Sequence, residues 1–344
     1  MARLAQLRLS MTVSILLASI IFTVFLAVIM YLLQLPLIFA VIGAIIFILL
    51  QYLIGPAIVR SSTRLRYLRP AEHPWLESTV NELATKGGMP APKLAIVPDP
   101  TPNAFVFGRT TKDATLAVHE GLLTQLDKEE VRGVIGHELG HIKHRDFLVM
   151  TALSSLPLIA YMIWLLTYSA ARTMTDGGRK RGMDVRIIVW LVAIISYIVY
   201  IVSLLCVMRL SRLREHYADA YSAYVTESPR DLESALTKIT YGLSLAPKPP
   251  HGARTLYIGD PALAKQEFQG ILERKEEYDL DKDGVLDERE LELAMEREAK
   301  STWTTINMWF ATHPATYQRI LLLREIDKEM ETGRYSSDRI YTKI

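Results

Sequence analysis

The chain has 344 residues, 50% of them apolar, with a net charge of +2 and a mean hydropathy of +0.17. Such a length exceeds one ordinary domain and such an apolar composition points to a membrane protein, while a near-balanced charge without a long basic block gives no sign of phosphate-backbone binding as the main activity, so no nucleic-acid partner is expected. The single cysteine, Cys206, lies inside an apolar run, which excludes an intrachain disulfide and a cysteine-rich metal site and leaves histidine and carboxylate as metal ligands.

From Leu9 to Val59 there is no Asp, Glu, Lys or Arg, and Leu35-Pro36 interrupts the run near its middle. The stretch is too long for a signal peptide and is read as a transmembrane hairpin over 1–59, with spans at about 11–33 and 37–54. Phe147 to Ala171 and Ile187 to Met208 have the same character, predicting a second pair over 147–208 with spans at 147–170 and 187–208. Four transmembrane helices in contact with a lipid bilayer are therefore expected. Eleven basic residues flank one side (Arg3, Arg8, Arg60, Arg64, Arg66, Arg69, Lys143, Arg145, Arg209, Arg212, Arg214) and five the other (Arg172, Arg179, Lys180, Arg181, Arg186), which orients both the N terminus and the soluble portion toward the cytoplasm.

The soluble portion opens over 60–146 with an amphipathic helix, His73 to Lys86, stopped by Gly87-Gly88. Strands follow at Lys93–Val97, Ala104–Phe107 and Thr115–Val118, expected to form a small antiparallel sheet. Asp127 then caps a helix whose first turn carries Glu129 and Glu130, favourable at the positive dipole end, and which runs on through His141.

On that helix His137 and His141 are four apart in His137-Glu138-Leu139-Gly140-His141, so both imidazoles leave one face and can grip one ion. Two surface histidines would satisfy the same spacing; a third ligand from elsewhere distinguishes the cases, because catalytic zinc takes three protein ligands and leaves a position open. Glu215 supplies it, at the head of Glu215-His216-Tyr217-Ala218-Asp219 in the segment 209–249, with Asp219 on the same helix face. His141 lies six residues before the third span and Glu215 seven after the fourth, both about 10 Å along a helix, so an antiparallel pair of spans brings them to one height. Glu138 beside the ligands is the candidate general base.

These residues resemble the HtpX-type membrane zinc proteases, relatives of the zinc-dependent CAAX prenyl proteases. The His-Glu-x-x-His and Glu-x-x-x-Asp patterns fall on His137, Glu138, His141, Glu215 and Asp219; the Asn-Ala-Phe segment is Asn103-Ala104-Phe105; the late His-Pro and Arg are His313-Pro314 and Arg319. Ala315 departs from the second proline often found there. The resemblance implies a mainly helical α+β catalytic domain of zincin type, completed by the segment 307–344, with zinc as cofactor. It also implies that Asp219 orients a ligand histidine, that His313 with Arg319 holds the oxyanion or substrate backbone, and that the strand Asn103, Ala104, Phe105, Val106 and Phe107 takes substrate by strand addition. The expected function is a zinc metalloendopeptidase of the cell (inner) membrane that cleaves misfolded membrane proteins or their cytoplasmic segments in protein quality control. A catalytically silent scaffold that kept the metal site, or a calcium-responsive regulator, is the alternative; Glu138, which metal retention alone does not need, favours the enzyme.

Residues 250–306 form an insertion. After the linker Pro247-Lys248-Pro249-Pro250, the segment Asp279 to Glu290 places Asp279, Asp281, Asp283, Asp287 and Glu290 at positions 1, 3, 5, 9 and 12 of a calcium loop, with Gly284 at the turn and Val285 offering its carbonyl at position 7. Helical sequence on both sides completes the pattern of an EF-hand, making calcium a second expected cofactor.

Overall fold

A computed structural model describes Leu16 and residues 19–32, 36–173, 185–245, 257–259, 273–280, 282, 294, 297, 311–333 and 335. The chain divides into two compact units, one of residues 6–57 and 148–210 and the other of 1–5, 58–147 and 211–344.

The first unit is helical. Helix α1 covers Ser19–Leu32, α2 Leu37–Thr63, and the long helices Asp146–Thr173 and Val185–Thr226 contribute their apolar parts. Phe22, Phe25, Leu26 and Ile29 of α1 pack with Leu153, Leu156 and Ala160 and with Val192 and Leu210 of the two long helices. Aromatic rings at helical spacing, Tyr161, Trp164 and Tyr168 against Trp190, Tyr197 and Tyr200, close the far part of that pair, with Tyr161–Tyr200 and Trp164–Tyr197 centroids both 5.3 Å apart. Ile42, Ile45, Ile46, Leu49 and Leu53 of α2 stay exposed, a surface suited to lipid rather than water. Among the described residues three helices are long and apolar enough to cross a membrane: Val41–Thr63, Asp146–Thr173 and Val185–Thr226. The expected first span at 11–33 is described only in part, and that part, Ser19–Leu32, is shorter than a span.

The second unit carries the sheet. In chain order it adds β1 (Arg66–Tyr67), α3 (Pro74–Lys86), β2 (Lys93–Val97), β3 (Ala104–Phe107), β4 (Thr115–His119), α4 (Glu120–Gln125) and α5 (Lys128–Lys143). After α6 (Asp146–Thr173) and α7 (Val185–Thr226) come α8 (Pro229–Leu245), α9 (Lys275–Tyr278) and α10 (Thr316–Glu331). The strand order is β1-β2-β4-β3. β1 is antiparallel to β2 and β3 to β4, but β2 and β4 are parallel, from Lys93↔Thr115 to Val97↔His119. The sheet is thus mixed rather than antiparallel. Strand periodicity reveals which segments are extended but not which become neighbours: β3 takes the edge and β4 returns between it and β2, in the same direction as β2. The two-residue β1 and the one-and-a-half-turn α4 are too short to show a period.

Helix α5 forms where its cap says it should. Asp127 Oδ1 accepts from Glu130 N at 2.9 Å and Glu130 Oε2 accepts from Asp127 N at 2.9 Å, satisfying two otherwise orphaned donors. Val131, Val134, Ile135, Leu139 and Ile142 of α5 lie in the main core with Leu76, Val80 and Leu83 of α3, Leu116 and Val118 of β4, and Leu232, Leu236 and Ile239 of α8. On another face α5 approaches α7 so closely that a Cβ at Gly140 would stand 2.9 Å from Ala218 Cα, and one at Gly136 2.8 Å from Ser222 Oγ. Backbone cannot yield as a side-chain tip can. Gly140→Val is therefore expected to push α5 from α7, separating the histidines from Glu215; metal affinity should fall at least tenfold, an expectation that equal zinc uptake by mutant and wild type in a chelator competition would refute.

Candidate metal centre

Helix α5 presents His137 and His141 one turn apart, and α7, locked against it at Gly140 and Ala218, presents Glu215. The three side chains offer ligand atoms lying within 4.8 Å of one another, the group of this kind found among the described residues. The Nε2 atoms of His137 and His141 are 3.1 Å apart; Glu215 Oε2 is 3.4 Å from His137 Nε2, and Glu215 Oε1 is 3.4 Å from His141 Nε2. Two bonds of about 2.05 Å at a tetrahedral zinc hold their donor atoms about 3.3 Å apart. The cluster therefore has the edge lengths of such a site, and among the described residues the buried Glu215 Oε2 accepts no hydrogen bond, as suits an atom reserved for a cation.

The outer nitrogens are held by carboxylates. His137 Nδ1 lies 2.9 Å from Asp219 Oδ1, and His141 Nδ1 lies 2.7 Å from Asp146 Oδ2. Asp219 is fully buried and receives Arg319 in bidentate fashion, Nε to Oδ2 at 2.9 Å and Nη2 to Oδ1 at 2.7 Å. Arg319 Nη1 donates to the Ile258 carbonyl at 2.5 Å and stands 3.6 Å from Glu215 Oε2. Asp146 in turn pairs with the buried Arg214. Neither Asp146 nor Arg214 stands out in the sequence: the first looks like a helix-start charge and the second like one of several juxtamembrane arginines.

Electrostatics differ among the three α5 groups. Burial and the nearby Arg319 charge both act to lower the His137 imidazole, but the adjacent Asp219 and Glu215 carboxylates outweigh them and hold it at about 9. Burial dominates at His141 and lowers it. Burial likewise pushes the Glu138 carboxyl up from its ordinary range, against the opposing pull of His141 and His137. A carboxylate lifted in this way holds a transferred proton more readily.

Of the other residues singled out in the sequence, His313 is brought to the cluster: it is buried, with Nε2 3.8 Å from Glu215 Oε1 and Nδ1 2.9 Å from Thr312 Oγ1. Arg319, three residues into α10, is 1% exposed, with its donors directed to Asp219 and Ile258. Ala104 to Phe107 form the edge strand β3. Asn103 just before it is buried, and its Oδ1 accepts from Ile258 N at 2.9 Å. Of the calcium-loop residues, Asp279 is described, directly after α9; Asp281, Asp283, Val285, Asp287 and Glu290 lie outside the described residues.

The chain is also similar in sequence to known proteins. Residues 70–327 match the model of peptidase family M48. A protease HtpX homolog of Methanothermobacter thermautotrophicus is 42% identical over 197 residues, 57% of this chain and 71% of that protein. Homologs from Moorella thermoacetica and Thermococcus sibiricus are each 32% identical, over 83% and 81% of this chain and 82% of their own lengths. Among solved structures, Ste24p of S. mikatae gives a TM-score of 0.47 at 16% identity, over 93% of this chain and 65% of that one.

Proposed function

The chain belongs to peptidase family M48 and is a membrane metalloprotease, and from that premise we propose that its metal is zinc, held by His137, His141 and Glu215, with Glu138 as the base of peptide-bond hydrolysis. The observation that carries this reading is the convergence of two imidazole nitrogens and a carboxylate at 3.1–3.4 Å, with each outer imidazole nitrogen already on its own carboxylate. Zinc bound there supplies a Lewis acid that polarises the scissile carbonyl and eases deprotonation of water.

The chain's own residues do the rest. Ionised Glu138 takes a proton from the water whose oxygen attacks the carbonyl carbon, and returns it to the amine nitrogen as the C–N bond breaks. Asp219 keeps His137 in the tautomer that turns Nε2 to the ion. His313, beside Glu215, is the better placed of the late pair to steady the oxyanion, and Arg319 acts through Asp219. Cleavage of an unfolded protein by the detergent-solubilised chain with zinc, against Glu138→Gln, tests the reading.

Substrate chains are read as adding to β3 along Asn103–Phe107, a mode supported by its edge position and one that recognises backbone rather than side-chain identity. Misfolded membrane proteins or their cytoplasmic segments fit such a site, in a chain read as a zincin-like domain and four spans of the cell (inner) membrane. The basic-residue asymmetry supports a cytoplasmic active site. In a Cys206→Ser background, a membrane-impermeant thiol reagent applied to intact cells should label a cysteine at Gly178 but not one at Thr240 or Ala299; the reverse pattern would invert the topology. The silent-scaffold alternative is not favoured, given protease relatives along most of the chain.

The loop Asp279 to Glu290 is proposed to bind calcium on the strength of its ligand spacing. A lone hand has no partner to rigidify it, so a weak affinity is expected, toward the ~10⁻³ M end of the known range. Calorimetry on the whole protein should show calcium uptake that Asp279→Ala removes, and no uptake at millimolar calcium would dismiss the loop as a site.

A further inference from the structure

The outer side of the metal cluster is built twice. Behind His137 stand Asp219 and Arg319; behind His141 stand Asp146 and Arg214. The second pair is buried as well, with Asp146 at 6% and Arg214 at 3% exposure, against 0% for Asp219 and 1% for Arg319. We propose that Asp146, held by Arg214, is the positioning residue for His141, fixing its ring so that Nε2 faces the ion.

Three observations carry this. Asp146 divides its two oxygens, Oδ2 to His141 Nδ1 at 2.7 Å and Oδ1 to Arg214 Nη2. A carboxylate needed only for the dipole of α6 would do as well in water, where it loses no hydration, whereas burying it with a guanidinium costs heavily unless both are matched. The backbone is also shaped for the contact. Five residues on from His141, an unbroken helix would carry Asp146 about 140° around its axis, away from the ring. Instead α5 ends at Lys143 and Arg145 takes the left-handed conformation, φ 57°, which turns the chain so that Asp146 returns to His141 as α6 begins. Finally, Arg214 immediately precedes Glu215. About 100° of helix separates them, so α7 offers one ligand to the ion and, on its adjoining face, the counter-charge that anchors the other ligand's support. Arg214 Nη2 also reaches the His144 carbonyl at 3.4 Å, tying the turn itself to α7.

The pair explains why two histidines of one motif do not depend on one partner. Asp219 cannot serve both, since its two oxygens are engaged by His137 and Arg319. Without Asp146 the Nδ1–H of His141 would lose the acceptor that selects its tautomer, and rings protonated on Nε2 would present a proton where the ion needs a lone pair.

This inference rests on His137, His141 and Glu215 being the metal ligands, so the test separates the two. The full-length protein in detergent is stripped of metal and titrated with zinc against a chromophoric chelator, then with cobalt while its visible absorption is recorded. Asp146→Ala should bind zinc about 10–100-fold more weakly, the usual effect of losing such a partner, and should shift the cobalt bands. Asp146→Asn, whose amide oxygen still accepts a hydrogen bond, should fall between it and wild type; it decides the matter alone if Asp146→Ala does not fold. Wild-type zinc affinity and cobalt bands in Asp146→Asn and Asp146→Ala, with only the melting temperature of the stripped protein lowered, would reduce Asp146 to a structural residue. Wild-type binding by Glu215→Ala would instead sink the ligand set, and this assignment with it.

Discussion

Glu138→Gln is expected to lose about 10²–10⁴-fold in proteolytic rate, the usual contribution of a general base, while keeping its zinc. Glutamine fills the same volume at a position that is 3% exposed, so packing between α5 and α7 should survive. What it lacks is a site for the proton of the attacking water. Burial lifts the Glu138 carboxyl, but glutamine removes titration altogether, so the pH dependence that belongs to this group should vanish with the activity. Turnover of an unfolded, quenched-fluorophore protein together with metal content by atomic absorption checks the prediction. Cleavage at the wild-type rate would place the base elsewhere.

Glu215→Ala should have an effect as large, on binding rather than turnover. Two histidines four apart on one helix hold an ion from one side only, and the third donor must come from α7. Zinc affinity is expected to fall by about a hundredfold or more, beyond the 10–100-fold typical of a supporting partner. The substitution also removes a carboxylate near the Arg319 guanidinium, 3.6 Å away, so some loss of stability should accompany it. Glu215→Gln, which keeps the shape, separates the two effects: a folded variant with weak zinc assigns the loss to the ligand. Unchanged zinc after exhaustive dialysis would remove Glu215 from the site.

The arrangement also shows how a membrane chain builds a site from distant segments. α5 and α7 are separated in sequence by a whole apolar helix and the residues that follow it, yet Gly140 and Ala218 let them touch, and the candidate ligand atoms of both come within 4.8 Å of one another. The family match over residues 70–327 spans the ligand helices and the late histidine and arginine alike.

Much of the site is legible in residue spacing because the chemistry is local to a helix turn. His137 and His141 share a face by period alone, Asp127 and Glu130 announce the helix that carries them, and Glu215 and Asp219 repeat the same four-residue interval. Uncharged runs mark the membrane helices for an equally simple reason, since burying a charge in hydrocarbon is costly. Only the tertiary structure decided the rest. The parallel pairing of β2 with β4, the directing of Arg319 inward to Asp219, and the return of Asp146 to His141 all depend on contacts between segments that no period connects. Asp146 is the clearest case: its place five residues from a ligand is wrong for a helix, and a single left-handed residue, Arg145, makes it right.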